Sequence, residues 1–354
     1  MTSDATMRAV RLHATAPVVA QVDVRIERQP PRDVGPAEVL IDVQACGLGA
    51  LDLAVVTDGV PRRGELPLTL GREAAGTIAR VGAEVVDWQP GDRVAVLVGR
   101  PCKRCGYCSI GRENLCASLV VPGIDTDGAL AGFVVADPDL LAPVPAGVPF
   151  HEAAIVVDAV ATPYHALKRA GLAEGSTIAI FGMGGLGMHA LLLAKLWGAD
   201  VVGVDVDPVN LERALAWGAD AAVDAREGDA AARIHELSAG GVDRAIEFVG
   251  SARSVDQAVR SVAPGGRTVV VGLGPEQLAS LPVQDFVARE LEVAGSFGST
   301  LQDVGELFDL LEDERLDLSR SVTHTTDLAG VEAGLRRLET REEHPVRTVV
   351  TDLR

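Results

Sequence analysis

The chain has 354 residues, enough for two domains with substantial cores. Its net charge of -18 argues against nucleic acid or an anionic membrane as a partner. Aromatics make up only 3% of the residues, so the core must rest on Val, Leu, Ile and Ala.

Residues 1–7 are polar and lack the apolar core of a signal peptide. The most apolar stretches are broken by glycine and too short to span a bilayer. A cytoplasmic protein acting on a small-molecule substrate is expected. From Met7 to about Pro149 the pattern is β-rich, with strands expected at 8–12, 18–26, 39–45, 75–81, 93–98 and 132–135. Turn signals at Pro36, Pro90-Gly91-Asp92 and Pro145-Ala146-Gly147 separate them. This predicts a twisted, barrel-like lobe.

Within that lobe, Cys102, Cys105, Cys108 and Cys116 stand as C-x2-C-x2-C-x7-C. Four thiolates at these spacings can close a tetrahedron around Zn²⁺, leaving no open position. An iron–sulfur pattern overlaps, but its proline-flanked fourth cysteine is missing. One structural zinc per chain is expected, fixing a lobe that lacks a core of its own.

From about Phe150 strands and helices alternate. Thr177–Phe181 reads as a buried strand that runs into Gly182-Met183-Gly184-Gly185-Leu186-Gly187, a G-x-G-x-x-G match. Glycine at 182 permits a tight turn, at 184 the approach of a pyrophosphate, and at 187 close packing of helix on strand. The helix that follows stops at Gly198, and the next strand ends on Asp205. An acid there accepts from the adenosine ribose hydroxyls and repels a 2′-phosphate, which favours NAD(H) over NADP(H). Further alternation up to a sixth strand at 291–294 predicts a doubly wound parallel sheet. The tail, 298–354, carries two expected helices (303–311 and 328–338) and a last strand at 347–351.

Taken together, these features resemble the zinc-containing medium-chain alcohol dehydrogenases over nearly the whole chain. The stretches LPLTLGREAAGT (66–77), VDAVATPYHAL (157–167), VVVGLG (269–274) and RELEVAGSFGST (289–300) are most similar to the subgroup of 6-hydroxycyclohex-1-ene-1-carbonyl-CoA dehydrogenase. The resemblance implies an α/β protein: a GroES-like catalytic domain at 1–158 and 297–354, with the cysteine lobe at about 99–117, and a Rossmann domain at 159–296. It also implies nicotinamide contacts at Val271, Gly272, Leu273 and Ser296, and a pyrophosphate contact at Arg347.

The family's catalytic zinc uses a cysteine, a histidine and a later Cys or Asp. In this chain the first two positions hold Gly49 and Arg72, and the third holds Asp158. The family's proton-relay positions hold Leu51 and Ala54. Catalytic zinc is therefore not expected, and Cys46 reads as a small buried residue rather than a displaced ligand. Asp52, Glu73 and Asp158 would repel one another around a missing dication. A guanidinium at Arg72 supplies positive charge and a fork to Asp52 and Asp158. Tyr164 and His165, near the family's active-site edge, are candidate proton donors, or plain wall residues of the cleft.

Three functions stay open at this point: a hydride transferase acting without metal on conjugated or cationic acceptors, an ordinary alcohol dehydrogenase with a rearranged site, and a non-catalytic NAD-binding partner protein. A homodimer or homotetramer is expected, because the sixth strand lies at a sheet edge.

Overall fold

A computed structural model describes residues 6–278 and 281–354. The chain divides into two compact units, residues up to Ala161 with Ser299–Arg354, and Thr162–Gly298. The units meet at residues 161/162 and 298/299.

The first unit starts with β1 (Met7–Ala14) and β2 (Asp23–Gln29). They pair from Met7↔Gln29 to Ala14↔Asp23, so residues 15–22 form the connection between them. The strand expected at 18–26 is thus shortened at its start: Val19–Gln21 is a 3-10 turn despite its apolar run. Next come β3 (Val39–Leu48), α1 (Ala50–Val56), β4 (Leu68–Thr69), β5 (Glu73–Val81), β6 (Arg93–Val96), β7 (Phe133–Ala136) and β8 (Leu141–Pro143). β2-β1-β4 form a small sheet, and β3, β5, β6 and β8 follow one another in a larger one. The unit is thus built on two sheets. Leu12, Ile41, Leu48, Leu70 and Ile78 fill its core. Two short helical pieces, α2 (Phe150–Ile155) and a π turn (Val156–Val160), lead out of it.

The second unit opens with α3 (Ala161–Ala170), then runs β9 (Thr177–Phe181), α4 (Gly185–Leu196), β10 (Asp200–Asp205), α5 (Pro208–Ala216) and β11 (Ala221–Asp224). It continues with α6 (Ala230–Leu237), β12 (Val242–Glu247), α7 (Ala252–Ser261), β13 (Val262–Val270), α8 (Val283–Ala288) and β14 (Glu292–Gly295). All pairs are parallel, in the order β11-β10-β9-β12-β13-β14. The order reverses between β9 and β12, which creates a crevice at the carboxyl ends of the strands. Sequence-coded caps set the helix starts: Asp207 before α5, Asp229 before α6 and Ser251 before α7.

The tail returns to the first unit with α9 (Leu301–Glu312), β15 (Val322–Asp327), α10 (Val331–Thr340) and β16 (Arg347–Asp352). β16 pairs with β3, completing the order β15-β16-β3-β5-β6-β8, with β7 also on β3. Among the described residues, no helix is long and apolar enough to cross a membrane.

Candidate functional site

Five charged side chains meet in the first unit, where β3, β5, β16, α1 and the π turn converge. Asp52, in the first turn of α1, accepts from the Gly49 N–H at 2.8 Å and from Arg72 at 2.8 Å. The Arg72 Nε donates to Asp158 at 3.3 Å, and Arg72 itself is buried. Glu73, on the same segment, is fully buried and takes the Arg347 Nε at 3.1 Å, with a second, short contact from Nη2. The expected fork of Arg72 to Asp52 and Asp158 is present. The guanidinium of Arg347, which the resemblance implies at the pyrophosphate, pairs with Glu73. Asp158 is the cluster's most exposed side chain, at 19%, against 2% for Arg72 and 0% for Glu73.

Two glycines leave room for this cluster. A Cβ on Gly49 would lie 2.5 Å from the Arg347 Nη1, and one on Gly47 would lie 2.1 Å from the Glu73 carboxylate. The place of a first ligand side chain is therefore filled by the arginine of β16. Burial alone would lower the Arg72 pKa, but Asp52, Asp158 and Glu73 outweigh it and hold the value above its usual range. Burial pushes the Glu73 carboxyl up to about 7, against the pull of Arg347. The Cys46 thiol is raised well above its usual value by burial, with Asp52 and Glu73 adding to the effect. A thiol so disfavoured as thiolate is a poor ligand.

The second unit carries the glycine turn between β9 and α4. Gly182 has φ +90°, and a Cβ on Gly187 would meet the Gly182 carbonyl at 1.9 Å. Gly184 faces open space and caps α4, leaving Gly185 and Leu186 in the first turn. Backbone room and free N–H groups at the start of a twelve-residue helix suit a pyrophosphate. Asp205 closes β10, as expected. Its oxygens accept from the N–H groups of Met183 (2.6 Å), Val206 (2.7 Å) and Asp207 (2.9 Å), and from Asn210 (3.3 Å). Val271 and Gly272 follow β13, and their N–H groups bond the Glu247 carbonyl. Ser296 follows β14 with its Oγ buried and without a hydrogen-bond partner among the described residues. An unsatisfied hydroxyl beside that stretch fits a carboxamide ligand.

The candidate proton donors Tyr164 and His165 lie on α3. The Tyr164 ring packs edge-on against Trp197 at 5.3 Å, with the Lys168 ammonium over its face at 5.2 Å. Trp197 ends α4, about 18 Å along the helix from the glycine turn. The Tyr164 ring thus has a packing role on this helix. His165 is half-buried on the same helix.

The sulfur atoms of Cys102, Cys105, Cys108 and Cys116 all lie within 4.8 Å of one another. Zn–S bonds of about 2.3 Å in a tetrahedron place sulfurs about 3.8 Å apart, so the four thiols fit one zinc ion. The Cys102 thiol is lowered to about 6, first by the Arg104 N–H. Lys103 ties the lobe to Asp137 and Asp139.

A four-thiol lobe on a two-sheet unit, joined to a six-stranded dinucleotide-binding unit, defines the class of medium-chain dehydrogenases and reductases. Residues 35–146 match the alcohol dehydrogenase GroES-like domain, and residues 185–313 match the zinc-binding dehydrogenase domain. An alcohol dehydrogenase of Geobacillus stearothermophilus is 34% identical over 303 residues, 85% of this chain and 88% of that one. The crystal structure of AibC is 33% identical, with a TM-score of 0.89 over 99% of this chain and 97% of that one. A zinc-binding dehydrogenase of Sinorhizobium meliloti 1021, solved bound to NADP, is 29% identical with a TM-score of 0.88 over 98% and 100%. The chain belongs to the zinc-binding medium-chain alcohol dehydrogenase family and is an oxidoreductase.

Proposed function

We propose that this oxidoreductase uses NAD(H) and transfers hydride without a catalytic zinc to a small acceptor activated by conjugation or positive charge. Enones, enoyl groups and iminium ions are of this kind. The carrying observation is the buried pairing of Arg72 with Asp52 and Asp158, beside Arg347 on Glu73. Of the three ligand positions implied by the family, only Asp158 offers a donor atom, and guanidinium groups stand at the other two. These residues do not fit a catalytic zinc. A guanidinium donates hydrogen bonds but cannot lower an alcohol's pKa as a metal does. Acceptors that are already electron-poor need positioning, worth about 7–11 kcal/mol, and one proton. His165, Tyr164 or water is the donor in this reading. The resemblance to the cyclohexene-carbonyl-CoA subgroup agrees with a conjugated acceptor, although no residue marks a CoA site.

The choice of NAD(H) rests on the charge of Asp205, since its lone pairs already take four donors. Repulsion of a 2′-phosphate is worth about 1–3 kcal/mol for such a contact. The Sinorhizobium relative holds NADP, so titration of both cofactors decides this point. Equal affinity would remove the NAD(H) assignment.

The main test joins elemental analysis with turnover. One zinc per chain is expected, together with NADH oxidation by cyclohexenone, a crotonyl thioester or an N-alkyl iminium that exceeds oxidation of simple alcohols and survives chelation. Two zinc ions per chain, with alcohol oxidation lost reversibly on chelation, would favour an ordinary alcohol dehydrogenase and overturn the proposal. The reading also places the protein in the cytoplasm.

A further inference from the structure

Glu247 ends β12 at the crevice where the strand order reverses, and it is fully buried. Its Oε1 accepts from the N–H groups of Val249 and Gly250, both at 2.8 Å, and from the Ser254 hydroxyl at 2.7 Å. Its main-chain carbonyl accepts from the N–H groups of Val271 (2.8 Å) and Gly272 (3.0 Å). One residue thus holds the turn after β12 with its side chain and the turn after β13 with its backbone.

The two turns also touch directly. Gly250 has φ +82°, and a Cβ there would lie 2.6 Å from the Leu273 backbone. A Cβ on Gly272 would lie 2.2 Å from the Gly250 nitrogen, and one on Gly274 would lie 2.1 Å from the Gly250 oxygen. A Cβ on Gly182, in the pyrophosphate turn, would meet the Val249 side chain at 2.9 Å. Two large apolar side chains stand exposed at this end of the sheet, Leu273 at 67% and Val249 at 53%.

We infer that Glu247 is the positioning residue for the nicotinamide side of the dinucleotide site. Its buried carboxyl fixes the turn at 249–250, and that turn seats Val271–Leu273 relative to the glycine turn of β9. The inference rests on the reading that Val271–Leu273 contact the nicotinamide. Burial raises the pKa of this carboxyl, in keeping with its enclosure.

A buried acid that serves only the stability of the fold would weaken every ligand of the unit alike. A positioning residue for one end weakens only ligands that reach that end. The test is calorimetric titration of NADH and of ADP-ribose, which lacks the nicotinamide, into wild type, Glu247→Gln, Glu247→Leu and Glu247→Asp. Gln keeps an acceptor oxygen in place and should keep the preference for NADH. Leu removes the acceptor that holds the Val249 and Gly250 N–H groups, and NADH binding should weaken about tenfold while ADP-ribose binding stays unchanged. Asp withdraws the same oxygen by one methylene, so it should give the same selective loss if the Leu variant does not fold. Equal losses for both ligands, or no loss for NADH, would overturn the inference. A wild type that binds the two ligands equally would instead sink the nicotinamide assignment, and the inference with it.

Discussion

At the scale of single residues, Gly49 is constrained by the arginine that fills the space beside it. Any side chain there meets the Arg347 guanidinium, so Gly49→Ala should push Arg347 away from Glu73. Breaking a buried pair costs about 3–5 kcal/mol when the remaining charge stays buried. Urea denaturation of Gly49→Ala should show a loss of that order, and an unchanged midpoint would mean that Arg347 has another place to go. The same contact limits any attempt to rebuild a metal site. Arg72→His with Gly49→Cys should still give one zinc per chain, because the new thiol and the guanidinium compete for one space. Trimming Arg347 to alanine as well is the change expected to admit a second ion. Glu73 adds a pH dependence of definite sign. Its carboxyl is raised from 4.5 to about 7, so the folded chain holds a proton that the unfolded chain releases. Stability from this group is full below pH 4.5 and is lost as pH rises through 7, by about 3 kcal/mol in all. Melting temperatures of wild type and Glu73→Gln should diverge across this window; parallel curves would show that Arg347 keeps Glu73 ionised throughout.

At the scale of elements, the locally encoded features were the readable ones. The cysteine spacing placed four thiols together, and the glycine turn fell between the strand and helix expected of it. Both depend on residues a few positions apart. Features made by distant segments left little trace. Arg347 meets Gly49 only because β16 pairs with β3, and the pattern of β16 shows an exposed-looking arginine on an apolar strand. β15 was missed because its sequence, VTHTTD, is mostly polar and offers no apolar alternation. The π turn that carries Asp158 was invisible as well, since one extra residue per turn does not alter composition. Glu247 lacked a signal for a different reason: two of its three side-chain donors, in the loop and helix just after it, are backbone N–H groups, which no residue type marks. The cysteine lobe supports a prediction at this scale. Its short 3-10 turns bury few apolar side chains, so Cys105→Ser should release the zinc and destabilise the lobe by on the order of several kcal/mol. Zinc content and protease sensitivity of the 99–117 segment report the two effects; retained zinc would contradict the four-thiol site.

At the scale of the whole molecule, the sheet of the second unit ends at β14, without a further strand among the described residues. An edge strand offers unpaired backbone groups that a neighbour can take, and nearby apolar surface decides whether one does. Here α8 exposes Val283 at 78% and Val287 at 66%, and Val293 of β14 itself is exposed. Such side chains gain about 1.5–3 kcal/mol each when fully buried, and a second copy supplies the same edge and the same side chains. The net charge of -18 on each chain opposes that association. Added salt should therefore strengthen the assembly by screening, the opposite of an interface held by ion pairs. Light scattering at micromolar concentration should give the mass of a dimer or a dimer of dimers. Val293→Lys together with Val287→Asp should shift it to a monomer that still holds its zinc and binds NADH. A monomeric wild type, or a double variant that stays dimeric, would show that this edge is covered in another way.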